Sequence, residues 1–491
     1  MRVIGGWMLG VLLLAQPALA QKPGAAPPAA PALPTVKPPP LGATPPPAAT
    51  PPRAQAPATT APTPSAPPLV LAPPPADEPP AVRRLRAVFP PDTQIAYRTA
   101  TVIDEASQRV RLQGVTMQRP GSTVTVDEAL VEGLSEAGLR EADLRGIVVT
   151  SSGTTVGIAR LRLTGLAAPR APGAAEPRPE DVALDRLMVE GLRVDNGADG
   201  VVTLAGFTVE ELGGQRRTRV RLEGLAGERL GAEAVSFTLA RAALSGIDVM
   251  TMAFEMQSTG VPRAQTGRME LFAEGFTFSQ RGRAAGGAES LRIESDTDAT
   301  QSGTGRLALR GMRFDGIPEV AAAIQQLGYQ ALAADITLEA TLQAAGGRLG
   351  VPALVLSIPE YGRLTFSGEF DGMVPGAPPE RMMTDGRLIS LALRYRDEGL
   401  LARAIRAQAA SQRITEAQFR EQLIGMARGA AGGPAQAVLR EPLERFLRGQ
   451  ATELELTARP PQPIAFGALG TTPPRDAADA QRRFGLTATA R

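Results

Sequence analysis

Short stretches of alternating polar and aliphatic residues that run into a glycine recur along the chain. The clearest copy spans residues 219–225 and reads Arg-Val-Arg-Leu-Glu-Gly-Leu. The other copies share the order aliphatic, any residue, glycine, apolar, and they begin at Leu112, Leu144, Leu163, Val189, Leu204, Leu244 and Leu309. Alternation with a period of two places one row of side chains on each face of a strand. Each copy therefore predicts a half-buried β-strand, with the glycine where the strand bends or bulges.

Strand patterns of this kind fill residues 82–396, and short glycine-containing turns separate them. Asn196-Gly197 favours a hairpin because these residues tolerate the positive φ of a tight reversal, and Gly346-Gly347 marks another turn. Parallel neighbours would need long crossovers. The pattern predicts a mainly β fold, a long, twisted antiparallel meander sheet that either forms a groove or folds on itself. The alternative is a parallel β-helix, whose rungs would recur at near-constant length, unlike the unevenly spaced glycines here.

Helical periodicity occurs in two places. Residues 317–326 have a proline at an early helical position and Gly328 after the end. Residues 397–449 carry apolar side chains at helical spacing, and Thr415 with Gln418 forms a capping box. We expect this smaller C-terminal helical segment to pack on the sheet. Residues 450–491 are expected to supply one or more final strands and a tail.

The N-terminal residues have the pattern of a secretory signal. Residues 1–20 contain Arg2, then an apolar run too short for a comfortable membrane span, then Ala-Leu-Ala. This predicts a signal peptide cut before Gln21, a periplasmic location and no transmembrane segment after cleavage. The alternative is an uncleaved segment that anchors the protein in the inner membrane.

Proline and alanine dominate residues 21–80. Such a segment has too little branched apolar surface to fold, and it favours an extended polyproline II conformation of about 3 Å per residue. We expect a disordered linker that acts as a spacer.

Several functional classes are excluded by missing residue types. The chain has no cysteine and no histidine, so it lacks disulfides, thiolate nucleophiles, Ser-His-Asp and Cys-His arrangements and the usual zinc ligands. Its lysines, Lys22 and Lys37, both lie in the Pro-rich segment. We therefore expect no enzymatic activity, no catalytic residues and no cofactor. Aromatic residues are only 4% of the chain, so the core must be aliphatic.

Charged clusters have ordinary structural explanations. The formal net charge is +2, and the densest basic cluster, residues 216–221, alternates with strand residues instead of forming a patch with aromatic partners. This predicts a solvated strand face and no nucleic-acid partner. The acidic residues 294–298 lack the glycine and distal glutamate of a calcium loop, so we expect no metal site.

The Leu-Arg-Leu-Thr-Gly-Leu pattern of residues 161–166, repeated over residues 82–457 with a signal peptide before it and a late helical piece, resembles the AsmA-like envelope proteins and related periplasmic families of unassigned function. The resemblance implies a long curved sheet whose concave face, lined by aliphatic side chains, shields lipid acyl chains. The chain departs from that group because a cleavable signal and a Pro-rich spacer replace the usual transmembrane anchor.

The number of helices also bears on function. A sheet with one apolar face needs a second layer, and the helices after Asp397 are too few to cover a dozen strands. Unless the sheet folds on itself, one face stays apolar and can hold a ligand. We therefore predict a non-enzymatic periplasmic envelope protein that binds or shields lipid or another apolar ligand, with Leu161, Leu163, Val220 and Leu222 as candidate groove residues. The alternative is a scaffolding module on a Pro-rich stalk that binds an envelope protein.

Overall fold

One antiparallel sheet of 20 strands makes up most of the structure, which confirms the predicted mainly β meander. The computed structural model describes residues 78–89, 93–135, 137–169, 181–229, 234–259, 265–314, 316–374, 379–430, 437–471 and 475–491. The strands are β1 Gln94–Ala96, β2 Thr99–Asp104, β3 Arg109–Arg119, β4 Ser122–Glu132, β5 Gly138–Ser151, β6 Thr154–Ala167, β7 Ala183–Asp195, β8 Val201–Gly213, β9 Thr218–Arg229, β10 Val235–Ile247, β11 Gly267–Gln280, β12 Arg283–Thr297, β13 Gly303–Arg313, β14 Ala333–Gln343, β15 Arg348–Ile358, β16 Gly362–Asp371, β17 Arg387–Asp397, β18 Glu453–Ala458, β19 Ile464–Ala465 and β20 Leu486–Ala490.

Strand order in the sheet follows chain order almost throughout. From β3 to β17 each strand pairs with the next one along the chain. β1 and β2 both pair with β3, β18 and β19 both pair with β17, and β20 pairs with β18. Because all these pairings are antiparallel, the parallel β-helix is excluded.

Short helices lie before the sheet, in its connections and near its C-terminal edge. They are α1 Pro80–Val88, α2 Val249–Thr259, α3 Pro318–Gln326, α4 Pro379–Asp385, α5 Leu400–Gln412, α6 Glu416–Ala430, α7 Ala437–Leu447, α8 Phe466–Thr471 and α9 Ala477–Phe484. The helix predicted at residues 317–326 is confirmed as α3. The capping box is confirmed too: the Thr415 amide donates to Gln418 Oε1 at 2.9 Å, and the Gln418 amide donates to Thr415 Oγ1 at 3.2 Å. The pattern did not predict α1, α2, α4, α8 or α9.

Side chains on one face of the sheet form two adjacent cross-strand rows, which we call row one and row two. Each row takes one residue from every strand from β2 to β18 and one from β20. Row one consists of Val102, Val110, Val131, Ala142, Leu163, Leu187, Val209, Val220, Leu244, Leu271, Ile293, Leu307, Leu338, Leu354, Phe366, Leu393, Leu456 and Ala488. Row two consists of Ala100, Leu112, Ala129, Leu144, Leu161, Val189, Phe207, Leu222, Ala242, Ala273, Leu291, Leu309, Ile336, Leu356, Leu364, Tyr395, Leu454 and Ala490.

In seven of the eight copies of the repeat the glycine has a positive φ, and Gly206 is the exception. At such a glycine the strand bulges, so that apolar side chains on both sides of it face the same way. In β9, Glu223 and Gly224 are exposed, while Leu222 before them and Leu225 after them are half-buried. Gly224 has a φ of +62°, in the left-handed region that favours glycine, and a Cβ there would lie 2.8 Å from the Cβ of Ala205. The glycine therefore serves backbone geometry, as the pattern predicted.

We expect Gly224→Ala to lower the thermal unfolding midpoint, by a destabilisation of about 1–2 kcal/mol, because alanine is strained at positive φ and meets Ala205. Gly206→Ala on the neighbouring strand is the matched control. Gly206 has no positive φ, and a Cβ there would be 3.8 Å from its nearest neighbour, Glu223. Equal midpoints for the two variants would contradict this role of the glycine.

Candidate apolar binding face

Rows one and two change from buried to half-exposed along the sheet. In β3–β8 ten of their twelve members are buried: Ala142 is 0% exposed, and Leu163 and Leu187 are 5% and 8% exposed. From β9 to β18 no member of either row is buried, and Leu364 and Leu393 are each 37% exposed. The same apolar pattern is therefore mostly buried in β3–β8 and half-buried or exposed from β9 to β17. We call the part of rows one and two that lies in β9–β17 the open face.

Helix α1 covers the N-terminal end of the rows. Val82 is 2% exposed, and Leu85 and Phe89 pack beside it against the core formed by β3–β8. These three side chains and residues from β1 and β3–β8 line a cavity of about 110 Å³, which we call the N-terminal chamber. This part of the sheet thus wraps against α1, with Arg83 and Arg84 on the exposed side of the helix.

A buried polar cluster fastens α1 to the sheet. Glu78 is 4% exposed, and its Oε1 accepts hydrogen bonds from Arg86 Nη2 at 2.8 Å and from the Tyr97 hydroxyl at 2.9 Å. Arg86 Nη1 also donates to the carbonyl oxygen of Ile95 at 2.6 Å. Burial by itself raises the pKa of Glu78, but the hydrogen bonds from Arg86 and Tyr97 outweigh it and the net pKa is lowered. We call Glu78, Arg86 and Tyr97 the α1 latch.

The lowered pKa makes the α1 latch sensitive to acid. Its contribution is fully present above the ordinary carboxyl value of 4.5 and is lost as the pH falls through the lower value of the folded protein. Near neutral pH we expect Glu78→Gln to speed hydrogen exchange of the α1 backbone amides relative to the wild type. Once the pH lies below the lowered pKa of Glu78 in the folded protein, the two proteins should exchange these amides at similar rates. Equal rates near neutral pH would show that the Glu78 charge does not hold α1.

Helix α7 covers the C-terminal end of the rows. Its residues Leu439 and Leu443 share a cavity of about 200 Å³ with Leu454 and Leu456 of β18. The ring of Tyr395 in row two packs edge-on against Phe446 of α7, with 5.9 Å between ring centroids. Its hydroxyl donates to Asp397 Oδ1 at 3.1 Å. Burial, and then the Asp397 carboxylate, raise the pKa of Tyr395, so it stays neutral at physiological pH.

A compact aromatic cluster lies where β15 turns into β16. The rings of Tyr329 and Tyr361 stack with centroids 3.6 Å apart, and the Arg403 guanidinium of α5 lies 4.1 Å from the Tyr329 ring centroid. Ile324 of α3 and Leu400 of α5 pack around the pair. This cluster ties α3 and α5 to the ends of the strands beside the open face.

The opposite face of the sheet is charged. Arginines and carboxylates pair across neighbouring strands, as in Arg160–Asp143 at 2.7 Å, Arg292–Glu270 at 2.9 Å and Arg394–Glu455 at 3.0 Å. The hydrogen bond from Arg160 holds the pKa of Asp143 below its usual value. Such partly exposed pairs contribute little stability each. These pairs identify the charged face as the face that contacts solvent. The apolar face, which is not fully buried, is the one that needs a further explanation.

The four predicted groove residues fall on the two rows, all on the apolar face. Leu163 and Val220 belong to row one, and Leu161 and Leu222 belong to row two. They differ in cover: Leu161 and Leu163 are each 5% exposed in the N-terminal chamber, whereas Val220 and Leu222 are half-buried at the start of the open face. Of these four residues, only Val220 and Leu222 are accessible to a ligand while α1 is in place.

The sequence reasoning missed α1, although a signal was present. Val82, Leu85 and Phe89 recur at helical spacing, with Arg83, Arg84 and Arg86 between them. The helix starts at Pro80, at the end of the segment interpreted as linker, and strands were expected from residue 82. The structure places a buried glutamate and a helix at this boundary instead. The predictions for residues 1–20 and for residues 21–77 of the linker lie outside the described residues.

Acidic side chains in the described part of the chain do not gather into a larger cluster. This part of the chain holds no group of three or more His, Cys, Asp or Glu side chains that could bind a metal ion. The last residue of the acidic stretch, Asp298, organises its own turn: its Oδ1 accepts from the amides of Thr300 and Ser302 at 2.7 and 3.0 Å. Hydrogen bonding from Thr300 lowers the pKa of Asp298.

Within the described ranges, none of the helices has the length and apolar character needed to cross a membrane. A family model described only as an uncharacterized protein matches residues 355–491, from the second half of β15 to the last residue. No curated protein and no solved structure matches the chain. The resemblance to AsmA-like proteins stays a prediction, because this family match carries no link to that group.

Proposed function

We propose that this protein binds acyl chains of lipids along the open face and has a non-enzymatic role in the cell envelope. One observation supports this most: two adjacent apolar rows run without a charged residue through β9–β17 and are not buried there. A large uncovered apolar surface on a folded protein marks a binding site.

The dimensions of the open face suit acyl chains. Neighbouring strands lie about 4.8 Å apart, so nine strands extend roughly 40 Å across the sheet. The hydrocarbon core of a bilayer, which two opposed chains span, is about 30 Å thick. The open face is therefore long enough for two acyl chains in line.

The chemistry of the open face favours lipid over a protein partner. Protein interfaces concentrate tyrosine, tryptophan and arginine at their centres. Within β9–β17 the rows are built almost wholly of leucine, isoleucine, valine and alanine, with Phe366 and Tyr395 as their aromatic members. Uniform aliphatic rows without polar anchors suit a flexible hydrocarbon chain. The periplasmic location in this proposal rests on the signal-like pattern of residues 1–20.

Lipid extraction tests the proposal directly. Protein purified from its own cell envelope without detergent is extracted with organic solvent, and the extract is analysed by mass spectrometry. We expect lipid in stoichiometric amounts and, after delipidation, saturable uptake of a pyrene-labelled fatty acid. Absence of both would contradict the proposal. A stable envelope protein that co-purifies and is lost on deletion of residues 21–77 would instead favour the scaffolding alternative.

A further inference from the structure

Helix α1 occupies one end of an apolar surface whose continuation from β9 to β17 is half-buried or exposed. We propose that α1 is an exchangeable occupant of the N-terminal chamber, and that the chamber accepts an acyl chain when α1 leaves. This inference rests on the proposed function. It adds a second binding site, the N-terminal chamber, whose access is controlled by α1.

The wall of the chamber has the same chemistry as the open face. Row one contributes Val131, Leu163 and Leu187 to the lining, and row two contributes Leu112 and Leu161. Every strand residue that lines the chamber is apolar. Tyr97 lies in the connection between β1 and β2, and the charged lining residue, Arg86, belongs to α1 itself. Opposite the helix, the Tyr97 hydroxyl and the carbonyl oxygen of Ile95 bond to the α1 latch, and the rest of the wall is an aliphatic surface that a hydrocarbon chain can cover equally well.

With α1 in place the chamber is too small for a lipid chain. Its remaining volume is about 110 Å³. An apolar cavity of about 150 Å³ holds no more than a benzene-sized molecule. A chain can therefore enter this end of the rows only if α1 moves out.

Few contacts hold α1 in place, although its position decides whether a ligand can enter the N-terminal chamber. The helix has nine residues, a length at which an isolated helix is unstable in water. Its larger apolar contacts come from Val82, Leu85 and the C-terminal cap residue Phe89, the small side chain of Ala81 packs on the same core, and the α1 latch is its polar attachment. A long acyl chain buries at least as much apolar surface as these three side chains. Apolar contact alone therefore lets an acyl chain replace the helix.

Because the chain contains no cysteine, a single introduced cysteine is the only thiol that a maleimide can label. A single cysteine is introduced by Val82→Cys, at a position 2% exposed in α1, or by Ile147→Cys, at a position 1% exposed in β5. The rate of maleimide labelling is measured with and without radiolabelled palmitate, and bound palmitate is counted in the same samples. We expect palmitate to accelerate labelling at position 82 by about tenfold or more and to leave position 147 unchanged, since a tenfold change needs only a modest shift in the α1 equilibrium.

Each other outcome overturns a defined part of the account. If palmitate binds and position 82 stays protected, α1 is a fixed part of the fold and the proposed function survives without this inference. If no palmitate binds, the proposed function fails together with it. If labelling accelerates at both positions, the sheet itself is loosening and the exchange of α1 is refuted. Leu85→Cys, with the same expected acceleration, replaces Val82→Cys if the latter does not fold.

Discussion

Leu338→Asp is expected to weaken fatty-acid binding at least tenfold while the protein stays folded. Leu338 lies in row one near the middle of the open face and is half-buried. A carboxylate there would lose its hydration against a bound hydrocarbon chain, and a cost of only about 1.4 kcal/mol already gives a tenfold loss of affinity. The measurement is a titration with pyrene-labelled fatty acid.

The neighbouring residue supplies a matched control for this prediction. Thr337 is exposed on the charged face of the same strand, so Thr337→Asp adds the same charge one residue away on the other side of the sheet. It should bind fatty acid as the wild type does. Equal affinities for the two aspartate variants would show that row one does not contact the ligand.

Leu163→Asp is expected to destabilise the N-terminal part of the sheet severely, on the order of 4 kcal/mol, because it buries an unpaired charge. Leu163 belongs to the same row as Leu338 but is 5% exposed and lines the N-terminal chamber under α1. Hydrogen exchange of β3–β8, followed by mass spectrometry, should show the loss of protection.

Comparing the two substitutions separates the effect of burial from the effect of residue type. Leu338→Asp changes the same residue type in the same row at a position that is only half-buried, so we expect a stability loss of no more than about 1 kcal/mol there. Similar stability losses at positions 163 and 338 would mean that the open face is covered in solution, which would contradict the proposed binding face.

Local sequence patterns were sufficient to predict most of the fold. Period-two alternation identified the strands, and the glycine of residues 219–225 was interpreted as a bend, which the positive φ of Gly224 confirms. Antiparallel order followed from turns such as Asn196-Gly197, because the connection lengths are themselves local. The short helices were harder to predict, since each is held by contacts with distant strands more than by its own sequence.

How deeply each part of the apolar face is buried could not be predicted from local sequence patterns. Leu161 and Leu163 look the same in the sequence as Val220 and Leu222, and all four lie on the apolar face. What distinguishes them is α1, which lies far from all of them along the chain and starts inside a proline-rich segment. The alternation of a strand records which face is apolar, whereas burial depends on which element packs on that face.

The most direct test of the account maps where a bound chain lies. The protein is loaded with a photoreactive diazirine palmitate, irradiated, digested and analysed by mass spectrometry. We expect adducts on the rows of β9–β17, at residues such as Leu271, Leu338 and Phe366, and few on the charged face. Adducts spread equally over both faces, or concentrated on exposed residues such as Thr337, would contradict the claim that the two apolar rows form the binding surface.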